Sequence, residues 1–358
     1  MSAKLLFATG GTGGHIFPAL AIAAAAKAQG FSVSFIGQRK GMEAKLVPEA
    51  GFDFHGVSAG KWDRERPNPL EGVRAGAGML EALWTVARYQ PDLVLGFGGF
   101  ASFPGVAAAR LFGKPYMLHE SNALPGKVTR WFAGGARHVA LAQQATRKHL
   151  PTDAKTSVVG FPVREKRLGK AAARAALGLP AEGLLTYVTG GSQGSQRLNE
   201  MVPQAFLQLG QSVEGSTVLH STGPKWLKQV QAATKELTNY YTEGFVDAIL
   251  AWSAADLAIT RGGYGTLSEA AYHGVPCIVV PLPSAAEDHQ LHNARAFAKA
   301  GAGWVLEDAR LSELGSVWLS ALARDTLASA ALAALALSPE GASAQFLSLL
   351  QTVLDGSA

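Results

Sequence analysis

The stretch that decides the fold is Leu5-Leu6-Phe7-Ala8-Thr9-Gly10-Gly11-Thr12-Gly13-Gly14-His15. Its apolar start predicts a β-strand, and the Ala-rich residues from Pro18 to Ala28 predict a helix after the glycines. Glycines allow positive φ angles and place no Cβ between the backbone N–H groups and a ligand. The N-terminus of the following helix favours an anion, typically a phosphate. This strand, turn and helix therefore predict one unit of a nucleotide-type α/β domain.

The same pattern returns in the second half of the chain. The turn Thr189-Gly190-Gly191-Ser192-Gln193-Gly194 follows the apolar residues 184–188 and precedes the helix-compatible residues 197–209. We therefore predict an α/β protein of two Rossmann-like domains with parallel sheets that face one cleft. The expected ranges are 1–163 for the N-terminal domain, 164–340 for the C-terminal domain, and 341–358 for a C-terminal helix that can pack back on the N-terminal domain.

Composition supports a folded protein of two domains. The 358 residues are 48% hydrophobic and 16% charged, which is enough apolar sequence for two cores. The single cysteine, Cys277, cannot form an internal disulfide and suits a reducing compartment. No stretch reaches the roughly 18 apolar residues of a membrane span, and the first strand starts too early for a signal peptide. We therefore expect a protein of the cytoplasmic side.

The net charge is unevenly distributed. Residues 1–163 carry 18 Lys and Arg against 10 Asp and Glu, whereas residues 164–358 carry 14 against 17. The basic first half suits an anionic membrane surface, a nucleic acid or a phosphorylated substrate, and an ordinary solvated basic face is the alternative.

Residues 70–89 have apolar side chains at helical spacing. The pattern predicts a core-facing stripe formed by Leu70, Val73, Ala77, Leu80, Leu83, Trp84 and Ala87. Met79 and Val86 fall outside this stripe, beside Arg74 and Arg88. They are candidates for an exposed apolar patch that enters lipid.

Several polar residues follow predicted strands. In open α/β sheets the ligand crevice lies at the carboxyl ends of the strands. His15, Gly98, Glu120 and Asn122 all fall there if the strands are parallel. Glu269 follows a third glycine turn, Arg261-Gly262-Gly263-Tyr264-Gly265-Thr266. Its carboxylate can hold sugar hydroxyls or complement the helix dipole, and the spacing leaves both open.

The sequence lacks the motifs of other phosphate-binding and metal-binding enzymes. No Lys-Ser/Thr pair follows a glycine turn, so P-loop phosphoryl transfer is not expected. The first turn does not match the dinucleotide fingerprint, and no acidic residue marks the end of the second strand. The sequence has no Cys/His cluster and no Asp-x-Asp pair. A diphosphate would therefore meet backbone N–H groups, helix ends and an Arg. A sugar–nucleotide enzyme fits these features best.

Ordered motifs along almost the whole chain give a specific resemblance. They are residues 10–20, 98–104, 119–122, 160–164, 190–194, 261–269 and 288–294. In this order they resemble the MurG family, the N-acetylglucosaminyltransferases that complete the lipid-linked precursor of bacterial peptidoglycan. Two positions depart from the family pattern. Tyr264 stands in a turn where the family often has Ala, and Ser121 stands where Gln is common.

The resemblance implies a fold of the glycosyltransferase B type. The C-terminal domain would bind UDP-GlcNAc, and the N-terminal domain would receive a lipid-linked acceptor. Donor contacts carried over from the family are Thr12, Gly13, Gly14, Asn122, Arg164, Ser192, Gln193, Phe245, Val246, Arg261, Tyr264, Gly265, Thr266, Glu269, His289 and Gln290. Among these, Glu269 would hold the ribose and Gln290 the GlcNAc hydroxyls. The acceptor diphosphate would lie at Gly13, Gly14, Gly98 and Gly99.

The implied reaction is an inverting transfer of GlcNAc to the MurNAc 4-hydroxyl of undecaprenyl-diphosphate-linked MurNAc-pentapeptide (lipid I). His15 is the expected general base, because an imidazole ordinarily titrates near pH 6.5, and Glu120 is the rival. No metal and no other cofactor is expected. The expected partners are UDP-GlcNAc, lipid I and the anionic inner leaflet, with no nucleic acid, for a peripheral protein at the cytoplasmic face of the membrane. A UDP-GlcNAc 2-epimerase and a non-catalytic sugar–nucleotide-binding subunit are the alternatives.

Overall fold

A computed structural model describes residues 2–58, 69–283 and 289–356. The chain forms two compact units. Unit 1 consists of residues 1–163 and 341–358, and unit 2 consists of residues 164–340. The predicted C-terminal helix thus belongs to the unit that begins the chain.

Each unit is built on one parallel sheet. Among the described residues, the sheet of unit 1 has seven strands in the order β3-β2-β1-β4-β5-β6-β7, and that of unit 2 has six in the order β10-β9-β8-β11-β12-β13. The strands are β1 Lys4–Ala8, β2 Ser32–Gln38, β3 Asp53–Val57, β4 Leu93–Gly96, β5 Tyr116–Glu120, β6 His138–Leu141, β7 Thr156–Val158, β8 Leu185–Thr189, β9 Thr217–Ser221, β10 Tyr240–Glu243, β11 Leu257–Thr260, β12 Cys277–Val279 and β13 Gly303–Val305.

Helices connect the strands and cover both faces of each sheet. They are α1 Gly13–Ala28, α2 Glu43–Glu49, α3 Pro69–Tyr89, α4 Phe103–Leu111, α5 Lys127–Phe132, α6 Lys170–Ala176, α7 Gln196–Leu209, α8 Leu227–Thr234, α9 Ala248–Ala254, α10 Tyr264–His273, α11 His289–Lys299, α12 Leu314–Ala321, α13 Arg324–Ala336 and α14 Ala342–Leu354. The prediction of two Rossmann-like α/β domains is confirmed.

The sheet of unit 1 lies between two apolar layers. On one face, Phe7 of β1 stacks on Phe97, and Phe97 stacks on Phe346 of α14 with ring centroids 5.6 Å apart in each pair. On the other face, α3 and α4 pack over Val94 of β4 and its neighbours. The fully buried Phe346 therefore ties the end of the chain to the core around β1.

Helix α3 is rotated from the orientation that the sequence pattern predicts. Val73, Leu80 and Trp84, predicted as core, are 70%, 69% and 65% exposed. Val86, predicted at the surface, is fully buried, and Met79 packs against the core. Ala77 and Ala87 are also exposed, Leu83 does pack against the core, and the side chain of Leu70 lies outside the described residues.

Small side chains explain this rotation. Gly78 and Ala82 lie on the buried face of α3, and a Cβ on Gly78 would collide with the carbonyl oxygen of Ser58. Close packing requires small residues there, so the largest apolar side chains of α3 are left on the outside. The apolar pattern takes no account of Gly78, and it places Val73, Leu80 and Trp84 on the buried face and Val86 on the exposed one.

Two element boundaries also differ from the predictions. Helix α1 begins at Gly13 rather than Pro18, so His15 lies in its first turn. Pro18 is tolerated inside α1 at the loss of one hydrogen bond, to the carbonyl of Gly14. Strand β5 extends to Glu120, so this carboxylate closes the strand rather than following it.

No single helix in the described residues has the length and apolar character needed to cross a membrane; only the bent pair Asp308–Ala321 and Arg324–Ala336 passes that test, as two helices taken together.

Candidate functional site

The first glycine turn holds the imidazole of His15. Gly10 and Gly11 have φ angles of 148° and 86°, which side-chain-bearing residues rarely adopt. The turn leads into α1, whose first turn has no acidic residue. Thr12 Oγ1 lies 3.0 Å from His15 Nδ1, and Thr9 Oγ1 donates to the His15 carbonyl oxygen at 2.9 Å. Two hydroxyls thus fix the backbone and the ring of His15.

The second glycine turn of unit 1 packs on the same ring. A Cβ on Gly98 would lie 3.1 Å from His15 Cδ2, and a Cβ on Gly99 would lie 3.0 Å from His15 Nδ1. A Cβ on Gly99 would also lie 2.6 Å from the Gly10 carbonyl oxygen. The structure therefore brings together the turns that the sequence predicted as the acceptor diphosphate site, and only glycine allows this approach.

A buried carboxylate that sequence reasoning missed supports the first turn. Glu43, at the start of α2, is fully buried. Its Oε1 accepts a hydrogen bond from Gln38 N at 2.9 Å, and its Oε2 accepts one from Gly11 N at 3.2 Å. Side chains on Gly10 or Gly41 would collide with this carboxylate. Glu43 therefore links the end of β2 to the glycine turn.

The carboxylate of Glu120 accepts hydrogen bonds from other residues of unit 1. The side chain is 3% exposed and accepts four hydrogen bonds. Asn122 N and Nδ2 donate to Oε1 at 2.9 and 3.1 Å, while Gly126 N and Thr129 Oγ1 donate to Oε2 at 2.9 and 2.7 Å. These contacts fix the loop between β5 and α5 and orient the amide of Asn122.

The neighbouring His119 is a neutral core residue. It is 2% exposed, and its ring contacts Phe97, Phe161 and Phe346. Burial, with a smaller contribution from the nearby His15, lowers its pKa to about 3, although a hydrogen bond with the backbone of Gly160 opposes this shift. His119 therefore carries no charge at neutral pH.

In unit 2, the glycine turn after β8 needs its glycines for their backbone conformation and, at Gly194, also for space. Gly191 and Gly194 have φ angles of 84° and 72°. A Cβ on Gly194 would collide with the carbonyl oxygen of Thr222, which follows β9. Gly191 N donates to Thr189 Oγ1 at 3.1 Å. In this turn, which precedes α7, Gln193 is exposed and Ser192 is half-buried.

Arg261 is anchored at the end of β11. Its Nε donates to Ser195 Oγ at 3.0 Å, and its Nη1 pairs with Asp308 Oδ1 at 2.8 Å. Ser195 is the N-cap of α7, and its hydroxyl accepts a hydrogen bond from Leu198 N. Arg261 is 8% exposed, so it connects two glycine turns of unit 2 from within the fold.

Glu269 has a hydrogen-bond donor that the sequence did not reveal. Trp252 Nε1, on α9, donates to Glu269 Oε2 at 3.2 Å. Burial raises the pKa of Glu269, whereas the charge of Arg164 and the indole hydrogen bond lower it. The Trp252 ring stands edge-on to Tyr187 with centroids 4.9 Å apart. Trp252 is the single indole in the Ala-rich stretch of α9, and no sequence spacing relates it to Glu269, so the sequence could not predict this hydrogen bond.

The remaining predicted residues of unit 2 lie after its strands. Phe245, after β10, is 67% exposed, while Val246 beside it is buried. Tyr264, Gly265 and Thr266 form the first turn of α10, and burial raises the pKa of Tyr264 to about 12. His289 and Gln290 begin α11, and Gln290 Oε1 accepts a hydrogen bond from Leu282 N at 3.1 Å.

The predicted site residues fall into two sets. Unit 1 contains Thr12, Gly13, Gly14, His15, Gly98, Gly99, Glu120 and Asn122, and unit 2 contains the rest.

Within the described parts of the chain, we find no group of three or more His, Cys, Asp and Glu side chains arranged to hold a metal ion.

Comparisons with known proteins agree with this arrangement. Residues 5–141 match the glycosyltransferase family 28 N-terminal domain, and residues 185–340 match the glycosyltransferase family 28 C-terminal domain. A protein of Deinococcus radiodurans is 43% identical over 98% of this chain and 96% of its own length. A protein of Thermus thermophilus is 42% identical over 98% of this chain and 100% of its own. Both are named UDP-N-acetylglucosamine–N-acetylmuramyl-(pentapeptide) pyrophosphoryl-undecaprenol N-acetylglucosamine transferase.

Solved structures give the same result. The crystal structure of MurG from Acinetobacter baumannii matches with a TM-score of 0.76 and 28% identity, over 98% of this chain and 100% of that one. A UDP-N-acetylglucosamine 2-epimerase from Listeria monocytogenes, so named provisionally, matches with a TM-score of 0.74 at 15% identity, over 100% of this chain and 98% of that one. The second likeness concerns the fold alone. The glycosyltransferase B-type fold is confirmed, and the epimerase alternative gains no support. This chain is a glycosyltransferase that belongs to family 28 and, within it, to the MurG family.

Proposed function

We propose that this enzyme transfers GlcNAc from UDP-GlcNAc to the 4-hydroxyl of MurNAc in undecaprenyl-diphosphate-linked MurNAc-pentapeptide, with inversion at the anomeric carbon and without a metal. The observation that carries the proposal is the position of the His15 ring. It lies against Gly98 and Gly99, and its Nδ1 is within hydrogen-bond distance of Thr12 Oγ1. A titratable base thus lies beside two glycine turns suited to a diphosphate.

His15 would act through its Nε2 atom. If His15 Nδ1–H donates to Thr12 Oγ1, Nε2 carries the lone pair and can accept the proton of the 4-hydroxyl. The hydroxyl oxygen then forms a bond to the anomeric carbon of GlcNAc. The bond from that carbon to the β-phosphate oxygen breaks, and UDP leaves with the electron pair. General-base assistance of this kind contributes about 10²- to 10⁴-fold in rate.

Glu120 is the weaker candidate for the base. Its two oxygens accept hydrogen bonds from Asn122, Gly126 and Thr129. Both carboxylate oxygens are therefore already engaged within unit 1, and contact with an acceptor hydroxyl would require some of these hydrogen bonds to break. We infer that Glu120 positions the loop that carries Asn122.

The donor would bind to unit 2. The N–H groups of Ser192 and Gln193, in the glycine turn before α7, would meet the diphosphate together with the exposed Arg164. Glu269, oriented by Trp252, would accept hydrogen bonds from the ribose hydroxyls. The remaining donor contacts are inferred from the family. Uracil would lie at Phe245 and Val246, and the GlcNAc hydroxyls at Gln290 and His289. The third glycine turn would add contacts from Arg261, Tyr264, Gly265 and Thr266.

The lipid-linked acceptor implies a membrane surface, and α3 offers one. Val73, Leu80 and Trp84 are spaced by seven and four residues, so they lie on one helix face, and each is at least 65% exposed. Arg74 and Arg88 are exposed on the same helix. Apolar side chains flanked by cations suit the boundary of an anionic bilayer. We infer a peripheral enzyme that binds the anionic cytoplasmic leaflet through α3.

The proposal is tested by measuring UDP release from UDP-GlcNAc, with and without a lipid I analogue, in detergent with excess EDTA. We expect release only when the acceptor is present. Release without acceptor, or formation of UDP-ManNAc, contradicts the proposal in favour of hydrolysis or epimerisation. Tight UDP-GlcNAc binding without turnover on the acceptor would indicate the binding subunit.

The role of His15 is tested with His15→Ala. We expect turnover to fall by about 10²-fold or more, with little change in UDP-GlcNAc affinity, because the base acts on the acceptor hydroxyl. His149→Ala, at an exposed position in unit 1, is the matched control and should retain full turnover. Near-normal turnover of His15→Ala would remove His15 from the role.

A further inference from the structure

Unit 1 has an exposed cluster of aromatic rings that the proposed chemistry does not use. The cluster, which we call the aromatic shelf, consists of Phe100, Phe103 and Trp131. Phe100 and Trp131 are 50% and 56% exposed. The rings of Phe100 and Phe103 are parallel within 3°, with centroids 6.0 Å apart. Trp131 meets Phe103 edge-on at 6.1 Å. Phe103 is half-buried and contacts both exposed rings, so the three side chains form one apolar surface.

The shelf begins at the second glycine turn. Phe100 follows Gly99 directly, and Ser102 donates to the Gly99 carbonyl oxygen through both N and Oγ, at 3.2 and 2.9 Å. These bonds fix Phe100 in the short turn that leads into α4. The backbone that would bind the acceptor diphosphate and the first ring of the shelf are thus adjacent residues.

The other end of the shelf is fixed by the Glu120 network. Trp131 lies on α5, whose start is held by the hydrogen bonds from Gly126 N and Thr129 Oγ1 to Glu120 Oε2. The buried Phe132 supports Phe103 from below, with centroids 5.8 Å apart. The shelf is therefore built on two segments that also carry predicted site residues, rather than on a free surface helix.

The chemistry around the shelf indicates its ligand. An exposed apolar patch of several large rings marks an interaction site, because leaving it in water is unfavourable. The flat faces of the rings suit the methyl groups and double bonds of an isoprenoid chain, whereas a peptide would bring charged groups that they cannot pair. Lys127 and Arg130 are exposed on α5 and add positive charge beside the shelf, which suits a ligand that is anionic as well as apolar.

We propose that the aromatic shelf binds the isoprenoid units that adjoin the diphosphate of the acceptor. This inference rests on the proposed function, because it assumes a polyprenyl diphosphate acceptor. The shelf would receive the apolar chain where it leaves the Gly98–Gly99 turn, and would thereby make the enzyme selective for prenyl acceptors.

The test uses two acceptors that share the MurNAc-pentapeptide diphosphate. One carries a farnesyl chain and the other a methyl group. For Phe100→Ala and Trp131→Ala, we expect the KM for the farnesyl acceptor to rise about tenfold, as for the loss of one buried aromatic contact. The KM for the methyl acceptor and both kcat values should stay within about twofold of the wild-type values. Phe112→Ala, an exposed Phe just after α4, is the matched control and should behave as the wild type.

Three results would overturn the inference. Equal KM increases on both acceptors would indicate contacts to the sugar or the peptide. A matching loss of binding to phosphatidylglycerol vesicles without acceptor would make the shelf a bilayer contact. Unchanged KM values in both variants would leave the shelf without a role.

Binding of farnesyl diphosphate, followed by calorimetry, separates this inference from the proposed function because it needs no turnover. We expect wild-type protein to bind farnesyl diphosphate at least tenfold more tightly than methyl diphosphate, and the shelf variants to lose this difference. Equal affinities of the wild type for the two diphosphates would refute the inference whatever the activity. Selective binding without any turnover would instead count against the proposed function alone.

Discussion

Trp252 Nε1 donates a hydrogen bond of 3.2 Å to Glu269 Oε2, and this bond joins α9 to the carboxylate predicted to hold the ribose. The indole is 2% exposed and is held edge-on by Tyr187. Since one carboxylate oxygen is occupied by a rigid donor, the orientation of the other oxygen is set. If Glu269 holds the ribose as proposed, Trp252 would therefore affect UDP-GlcNAc binding by positioning that carboxylate.

Trp252→Phe should weaken UDP-GlcNAc binding while leaving the fold intact. The variant keeps an aromatic ring but removes the N–H donor, and a hydrogen bond to a charged group contributes about 1.5–3 kcal/mol. We expect the dissociation constant, measured by calorimetry, to rise at least tenfold with kcat little changed. Trp304→Phe, on β13 of the same unit, is the control and should leave the affinity unchanged. Equal affinities of Trp252→Phe and wild type would exclude the positioning role.

The pH dependence of donor binding provides a second readout of the same variant. Burial raises the pKa of Glu269, and the Trp252 hydrogen bond opposes this shift. Binding that needs the ionised carboxylate is complete above this pKa and is lost as the pH falls through it. Removing the indole N–H raises the pKa further, so Trp252→Phe should lose UDP-GlcNAc affinity at a higher pH than the wild type. An unchanged profile would contradict this.

The Thr12 hydroxyl should matter for turnover, because in the proposed mechanism it accepts a hydrogen bond from His15 Nδ1–H and so leaves Nε2 as the basic atom. Thr12 Oγ1 lies 3.0 Å from His15 Nδ1, and valine has the same shape without the hydroxyl. We expect Thr12→Val to lower kcat about tenfold, equivalent to one hydrogen bond of roughly 1.4 kcal/mol. Thr12→Ser keeps the hydroxyl and should restore most of the rate. A serine variant as slow as the valine variant would show that the methyl group, not the hydroxyl, is required.

Gly194 and Gly191 offer a matched pair in the second glycine turn. Both have positive φ angles, so an alanine at either position carries a strain of about 1–2 kcal/mol. Only Gly194→Ala adds a collision with the Thr222 carbonyl oxygen, whereas a Cβ on Gly191 meets nothing within 4 Å. We expect Gly194→Ala to lose measurable UDP-GlcNAc binding and to lower Tm more than Gly191→Ala. Similar losses in the two variants would show that φ strain, not the collision, limits the turn.

Local patterns in the sequence predict the fold and the positions of the glycine turns well. Each turn is a short motif between an apolar strand and a helix, and its glycines are required by the local backbone, as at Gly10 and Gly191. Parallel strands then bring residues such as His15 and Gly98 together at one sheet edge. Those contacts follow from topology, so single-sequence reasoning can find them.

Contacts that depend on side-chain packing could not be found in this way. Glu43 lies 32 residues from Gly11, and its sequence context resembles that of any acidic residue at the start of a helix. Trp252 and Asp308 reach Glu269 and Arg261 across the unit, without a spacing that relates them. The orientation of α3 was predicted wrongly because two small residues, Gly78 and Ala82, share its buried face with Met79, Leu83 and Val86.

The structure and the sequence pattern make opposite predictions about which side chains of α3 contact a membrane. Leu80→Gln combined with Trp84→Gln removes two exposed apolar side chains, each worth about 1.5–3 kcal/mol when buried in lipid. We expect binding to vesicles of phosphatidylglycerol and phosphatidylethanolamine to weaken at least tenfold, with Tm unchanged. Val86→Gln, which buries a polar group in the core of unit 1, should instead lower Tm markedly. The opposite result, a stable Val86→Gln variant with weakened vesicle binding, would mean that α3 faces the membrane with its Met79 and Val86 side, as the sequence pattern predicts.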